Sequence, residues 1–129
     1  MTYHELESAN RYKEHLTIAE HRLLEEQQAG TWLSEIKAKD TKRLIEEHNR
    51  RKQAAEQKIT DFILTLDDEE MRYIVKLRYL DGIGWEDIAT KIGKGRSANQ
   101  TYMACMQYLY EHGVVFGKNH PIYGANGKR

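Results

Sequence analysis

Apolar residues recur along the first half of this chain at intervals of three and four, the spacing of one face of an α-helix. Ala9, Tyr12, Leu16, Ala19 and Leu23 form a narrow stripe that predicts one helix from Tyr3 to Ala29. Gly30 suits the end of a helix and Thr31 the cap of the next. A second helical stretch is predicted from Trp32 towards Leu66, with an interruption expected near Asp40 and Thr41. Its stripe is Ile45, His48, Lys52, Ala55, Ile59, Phe62 and Leu66, poor in the middle because His48 and Lys52 are polar. Two long helices with a short joint predict an antiparallel hairpin, each helix on the order of 40–50 Å long. A stripe this thin buries little, so it calls for a partner: the other helix, a second copy of the chain, or the C-terminal domain.

The pattern changes between Leu66 and Gly113, where three shorter apolar faces follow one another. Asp67 is expected to cap the first, with Glu70 completing a capping box. Met71, Ile74, Val75, Leu77 and Tyr79 give that helix a wide apolar face, and Asp81-Gly82 stops it near Leu80. Gly84 takes the next cap position, where Ser or Thr is commoner. Trp85, Ile88, Ala89 and Ile92 then mark one face of a short helix that Gly93 ends, and Lys94-Gly95 completes the turn. The third helix starts near Arg96 or Ser97, with Ala98, Tyr102, Cys105, Met106 and Leu109 facing inward. Helix, short turn, helix, three-residue turn, helix is the layout of a helix-turn-helix, which holds one helix where its outer face can enter a DNA groove.

The expected architecture is therefore all-α: a helical-hairpin arm over 1–64, a trihelical helix-turn-helix domain over 65–112, and a flexible C-terminal tail over 113–129. Val114, Val115 and Phe116 are able to dock on the domain, with the end of the tail loose. The candidate DNA-binding residues are Lys94, Arg96, Ser97, Asn99, Gln100 and Met103, at the start of the third helix. Arg suits guanine, Asn and Gln suit adenine, and Ser suits phosphate or base. The N–H groups at the helix start favour a phosphate nearby.

Composition supports helix. Pro121 is the only proline in 129 residues, so the first 120 lack the strongest helix breaker. Formal net charge is zero, but its distribution is uneven. The segment Asp67 to Asp87 is acidic, whereas from Ile88 onward Lys91, Lys94, Arg96, Lys118, Lys128 and Arg129 face only Glu111. The positive balance thus begins with the second helix of the motif, a modest footprint for phosphate contact. Cys105 is the only cysteine, which excludes an internal disulfide and fits an intracellular protein. No apolar run is long enough to span a membrane and no signal-peptide pattern opens the chain, so a soluble cytoplasmic protein is expected.

Catalytic and metal chemistry finds little purchase. His4, His15, His21, His48, His112 and His120 show no HExxH or paired metal spacing, and His21 with Glu25 reads as a solvated helix face. Asn119-His120 falls in the tail without an evident partner. The run Gly93-Lys94-Gly95-Arg96-Ser97 lacks phosphate-loop spacing and follows no strand, so it reads as a turn. Cys105 reads as core, Tyr102, Tyr108 and Tyr110 as packing residues, and Arg50-Arg51-Lys52 as a solvated basic cluster. No cofactor is expected, and no enzyme activity.

The string LRYLDGIGWEDIATKIG resembles the helix-turn-helix in region 4 of bacterial sigma factors, where a run like LRY-x-x-G-x-S-x-x-EIA-x-x-LG recurs. The matching positions are Arg78-Tyr79, Gly82, Trp85, Glu86, Ile88, Ala89, Ile92 and Gly93. The variant with Trp before the acidic pair is similar to small sigma-like regulators of phages and prophages of Gram-positive bacteria, including late-gene activators. The resemblance implies a transcription regulator that binds double-stranded DNA, with RNA polymerase as a further partner and a helical N-terminal arm before the motif. The chain departs from the pattern in three places. Gly84 replaces the usual hydroxyl residue, Asn99 falls near an expected branched apolar residue, and Arg96 is the one basic residue where several are usual. A weakly basic recognition helix needs a homodimer or polymerase to reach useful affinity. The acidic start of the first motif helix (Asp67, Asp68, Glu69, Glu70) is expected to face away from DNA. The alternative is a protein-binding module, such as a phage-encoded inhibitor of a host protein, that uses the arm and the same fold without reading DNA.

Overall fold

Six α-helices make up the regular structure of residues 1–121, the part of the chain described by the computed structural model: α1 (Tyr3–Leu6), α2 (Ser8–Ala29), α3 (Trp32–Leu64), α4 (Glu69–Tyr79), α5 (Trp85–Ile92) and α6 (Ala98–Glu111). The described residues form no sheet. Their one strand-like contact is a bridge between Thr2 and Val115. The fold is all-α, and among the described residues no helix is long and apolar enough to cross a membrane.

The stretch expected as one helix from Tyr3 is divided at Glu7, which separates α1 from α2. The cause is tertiary. Thr2 caps α1 through a capping box with Glu5, while the Tyr3 N–H donates to the Val115 carbonyl at 2.8 Å and the Val115 N–H donates to the Met1 carbonyl at 3.1 Å. The first turn is thereby held by the segment that follows α6, which a periodicity within α2 cannot reveal.

Gly30, left-handed at φ 66°, ends α2, and Thr31 with Ser34 starts α3 by a second capping box. The two helices then run antiparallel, about 33 and 50 Å long at 1.5 Å per residue. Their pairing is marked by Thr41 donating to the Glu26 carboxylate, by Lys13 and Glu56 at 3.9 Å, and by the rings of His15 and His48 at 5.3 Å. The expected interruption near Asp40 and Thr41 does not occur. Thr41 is fully buried, and its single hydroxyl hydrogen is shared between the Glu26 carboxylate and the Lys37 carbonyl, 3.0 Å away, so its polar need is met within the pair.

One hydrophobic core joins α1, the start of α2 and the end of α3 to the C-terminal helices. Leu6 and Ala9 meet Ala55, Ile59 and Ile63 of α3, Ile74, Val75, Leu77 and Tyr79 of α4, Ile88 of α5, and Cys105, Met106 and Leu109 of α6. Val114 and Phe116 complete this core, whereas Val115 between them is exposed. His120 is not isolated: its ring lies 4.7 Å from Tyr3 and 4.6 Å from Phe116. The remainder of the expected flexible tail, 122–129, lies outside the described residues. Farther along α2 and α3 the packing thins, and Ile18, Leu24, Trp32, Leu33, Ile36 and Leu44 are exposed.

Candidate nucleic-acid interface

The site is built from the start of α6, the turn before it, and the α4 turn that lies against them. Asp68, not Asp67, caps α4, accepting the Met71 N–H at 2.9 Å. Asp67 instead accepts from the Tyr108 hydroxyl at 2.7 Å and contacts His112 Nε2 at 3.3 Å. The Tyr108 hydrogen bond is the main reason that the Asp67 carboxyl is held below its usual range. The expected Asp67–Glu70 capping box is therefore absent.

Glu70 is drawn across to the α5–α6 turn. Its Oε2 accepts from Lys94 Nζ, and its Oε1 accepts from Arg96 Nη1 at 2.8 Å. These bonds, that from Lys94 foremost, hold the Glu70 carboxyl below its usual range although partial burial opposes them. Glu70 thus does not face away from the candidate interface; it sits beside it. Periodicity places Glu70 on the flank of α4 that also carries Ile74 and Leu77, both packed inward. Of that acidic run only Glu69 and Glu70 lie in α4, and successive helical residues point about 100° apart, so the run does not form one face.

α5 begins at Gly84, extended at φ −71° and ψ 155° and without a side-chain cap, and ends at Gly93, left-handed at φ 69°. Ile88 and Ala89 are buried. Trp85 meets the edge of Tyr102 at 5.3 Å, and the Arg78 guanidinium lies 5.3 Å from the Trp85 ring centre. Arg78 also donates to the Ile83 carbonyl at 3.2 Å, which ties the α4–α5 turn. The Trp85–Tyr102 contact packs the start of α5 against α6.

Ser97 caps α6. Its hydroxyl oxygen accepts the Gln100 N–H at 3.1 Å, and Gln100 Oε1 accepts the Ser97 N–H at 2.9 Å. This reciprocal capping box, legible as Ser-x-x-Gln, engages two of the candidate DNA-binding residues with each other. Thr101 is fully buried, with its hydroxyl donating to the Ser97 carbonyl at 2.9 Å. Ala98 and Tyr102, expected inward, are only half-buried, while Cys105, Met106 and Leu109 are buried as expected. Burial pushes the Cys105 thiol up to about 12, so it is inert core rather than a nucleophile.

The six candidate residues lie together at one end of α6. Lys94, Ser97, Asn99 and Gln100 are exposed, and Arg96 and Met103 are half-buried. Lys94 and Arg96 are engaged by Glu70, and Ser97 and Gln100 by each other, so Asn99 and Met103 are the ones left without a polar engagement of this kind. Beyond them the outward stripe continues through Gln107 and Tyr110, both exposed. Among the described residues no group of three or more His, Cys, Asp or Glu side chains is arranged to hold a metal ion. Comparison of the chain with protein-family models, with curated proteins and with solved structures finds no match.

Proposed function

We propose that α4, α5 and α6 form a helix-turn-helix carried on a helical-hairpin arm, and that the protein is a DNA-binding transcription regulator of the sigma-like phage type. The observation that carries this reading is the start of α6. A short turn through Gly93 and Gly95, both with positive φ, leads into a capped helix whose first turns present Asn99, Gln100 and Met103 beside Arg96 and Lys94. Residues of these types at a helix start suit base edges and phosphates in a major groove. RNA polymerase is the further protein partner in this reading, and a second copy of the chain pairs through the arm.

The experiment is selection of bound duplexes from a random-sequence pool, followed by titration of variants on the selected sequence. Asn99→Ala is the cleanest variant, because Asn99 is exposed and outside the capping box. A lost base contact weakens binding by about 1–3 kcal/mol. Full affinity and unchanged sequence preference in Asn99→Ala, with Arg96→Ala equally silent, would remove α6 as the reading element.

One observation favours a second reading, a protein-binding module. The outward stripe of α6 (Gln100, Met103, Gln107, Tyr110) carries no charge, and the two nearby cations already hold a carboxylate. Recovery of no preferred duplex in the selection supports that alternative.

A further inference from the structure

Lys94 and Arg96 are the only basic residues between Gly93 and the end of α6. Both are bonded to one carboxylate, that of Glu70, which reaches them from a different helix. A carboxylate and a phosphate offer these cations the same kind of partner: anionic oxygens that accept from an ammonium or a guanidinium fork. The contact is therefore a ready-made competitor for the backbone of a duplex lying on α6. The geometry suits exchange. Lys94 is 58% exposed and Arg96 34%, against 23% for Glu70, so the cations are open to an incoming phosphate while the carboxylate sits deeper. Glu70 stays ionised at neutral pH, since its partners hold its carboxyl below the usual range. A proton does not release the contact under those conditions.

We infer that Glu70 sets the strength and the salt dependence of duplex binding: it occupies Lys94 and Arg96 in the free protein, and phosphates engage them only by displacing it. This inference rests on the proposed DNA-binding role of α6. It makes Glu70 a positioning residue that tunes affinity without touching a base. It also accounts for a recognition helix with so little net positive charge at its start.

The test compares the full-length protein with Glu70→Gln on a duplex obtained by selection, across a series of salt concentrations. Removing the carboxylate is expected to tighten binding roughly tenfold at low salt. The plot of log affinity against log salt should steepen by about 0.9 for each cation freed. A cycle with Lys94→Ala adds a second readout. That change should cost little beside Glu70 and clearly more in the Glu70→Gln background, where Lys94 is free to bind phosphate. Equal affinity and equal slope for wild type and Glu70→Gln overturn the inference while leaving DNA binding standing. Weaker binding by Glu70→Gln overturns it too, because Glu70 would then be orienting Arg96 on the duplex. Failure of every form to bind any duplex removes the DNA-binding role itself, and this inference with it. Melting curves of each variant separate affinity from folding, and Glu70→Ala serves as the replacement if Glu70→Gln melts early.

Discussion

Gly84 and Gly93 bound the same short helix, and substitution should move stability in opposite directions. At Gly84 the backbone is extended and nothing lies within 4 Å of an added Cβ. A Ser there gains a side-chain acceptor for the open N–H groups of α5 and loses nothing, so Gly84→Ser is expected to stabilise by a few tenths of a kcal/mol. At Gly93 the backbone is left-handed at φ 69°, and the nearest atom to an added Cβ is the Thr90 carbonyl oxygen at 3.8 Å. No clash contributes, so Gly93→Ala should lose about 1–2 kcal/mol through backbone conformation alone. Chemical denaturation of the two variants, read as midpoint at constant slope, checks both signs. Both roles were legible in the sequence, since Gly has few uses beside a short apolar-periodic segment. Glu70 was not legible: nothing in its own surroundings says that its partners are Lys94 and Arg96.

At the level of elements, the periodic faces were readable wherever a face was wide. α4 and α5 were located by their apolar residues, and α6 by Cys105, Met106 and Leu109. The break at Glu7 depends on Val115, more than a hundred residues away in the chain, for which local patterns carry no signal, whereas the docking of Val114 and Phe116 was legible as a short apolar run. The α2–α3 pair adds a pH dependence. Burial, with help from the neighbouring His15 and Arg51, holds His48 below its ordinary value of 6.5. Its Nδ1 is buried without a hydrogen-bond partner among the described residues. His120 is shifted in the same direction by burial. A histidine depressed in the folded state contributes stability fully present above 6.5 and lost as pH falls below it. Thermal midpoints should therefore decline between about pH 7 and pH 5. His48→Gln should flatten part of that decline. A second loss is expected in stronger acid, as Glu5, held down at about 2 chiefly by Lys58, is protonated together with Asp67 and Glu70. A midpoint that rises on acidification from pH 7 contradicts the burial of His48 in this pair.

At the scale of the whole molecule, the core is concentrated where both ends of the α1–α3 unit meet α4–α6, and the far end of the α2–α3 pair is left lightly packed. Trp32, Leu33 and Ile36 are exposed within little more than one turn of α3, the kind of apolar surface that a second copy would cover. Pairing through this end would supply a second α6 and so the affinity that one weakly basic helix lacks. Sedimentation of the protein should show a dimer, and Leu33→Glu with Ile36→Glu should convert it to a folded monomer. A wild-type monomer at tens of micromolar would place the exposed residues in some other contact.

The central claim, that the start of α6 meets duplex DNA, is tested most directly by binding to a random-sequence duplex at low salt and again at moderate salt. Phosphate contact predicts measurable binding that falls steeply between about 50 and 200 mM salt. No binding to any duplex at the lower concentration, by a protein that melts cooperatively, would contradict the account and leave α6 as a surface for another protein.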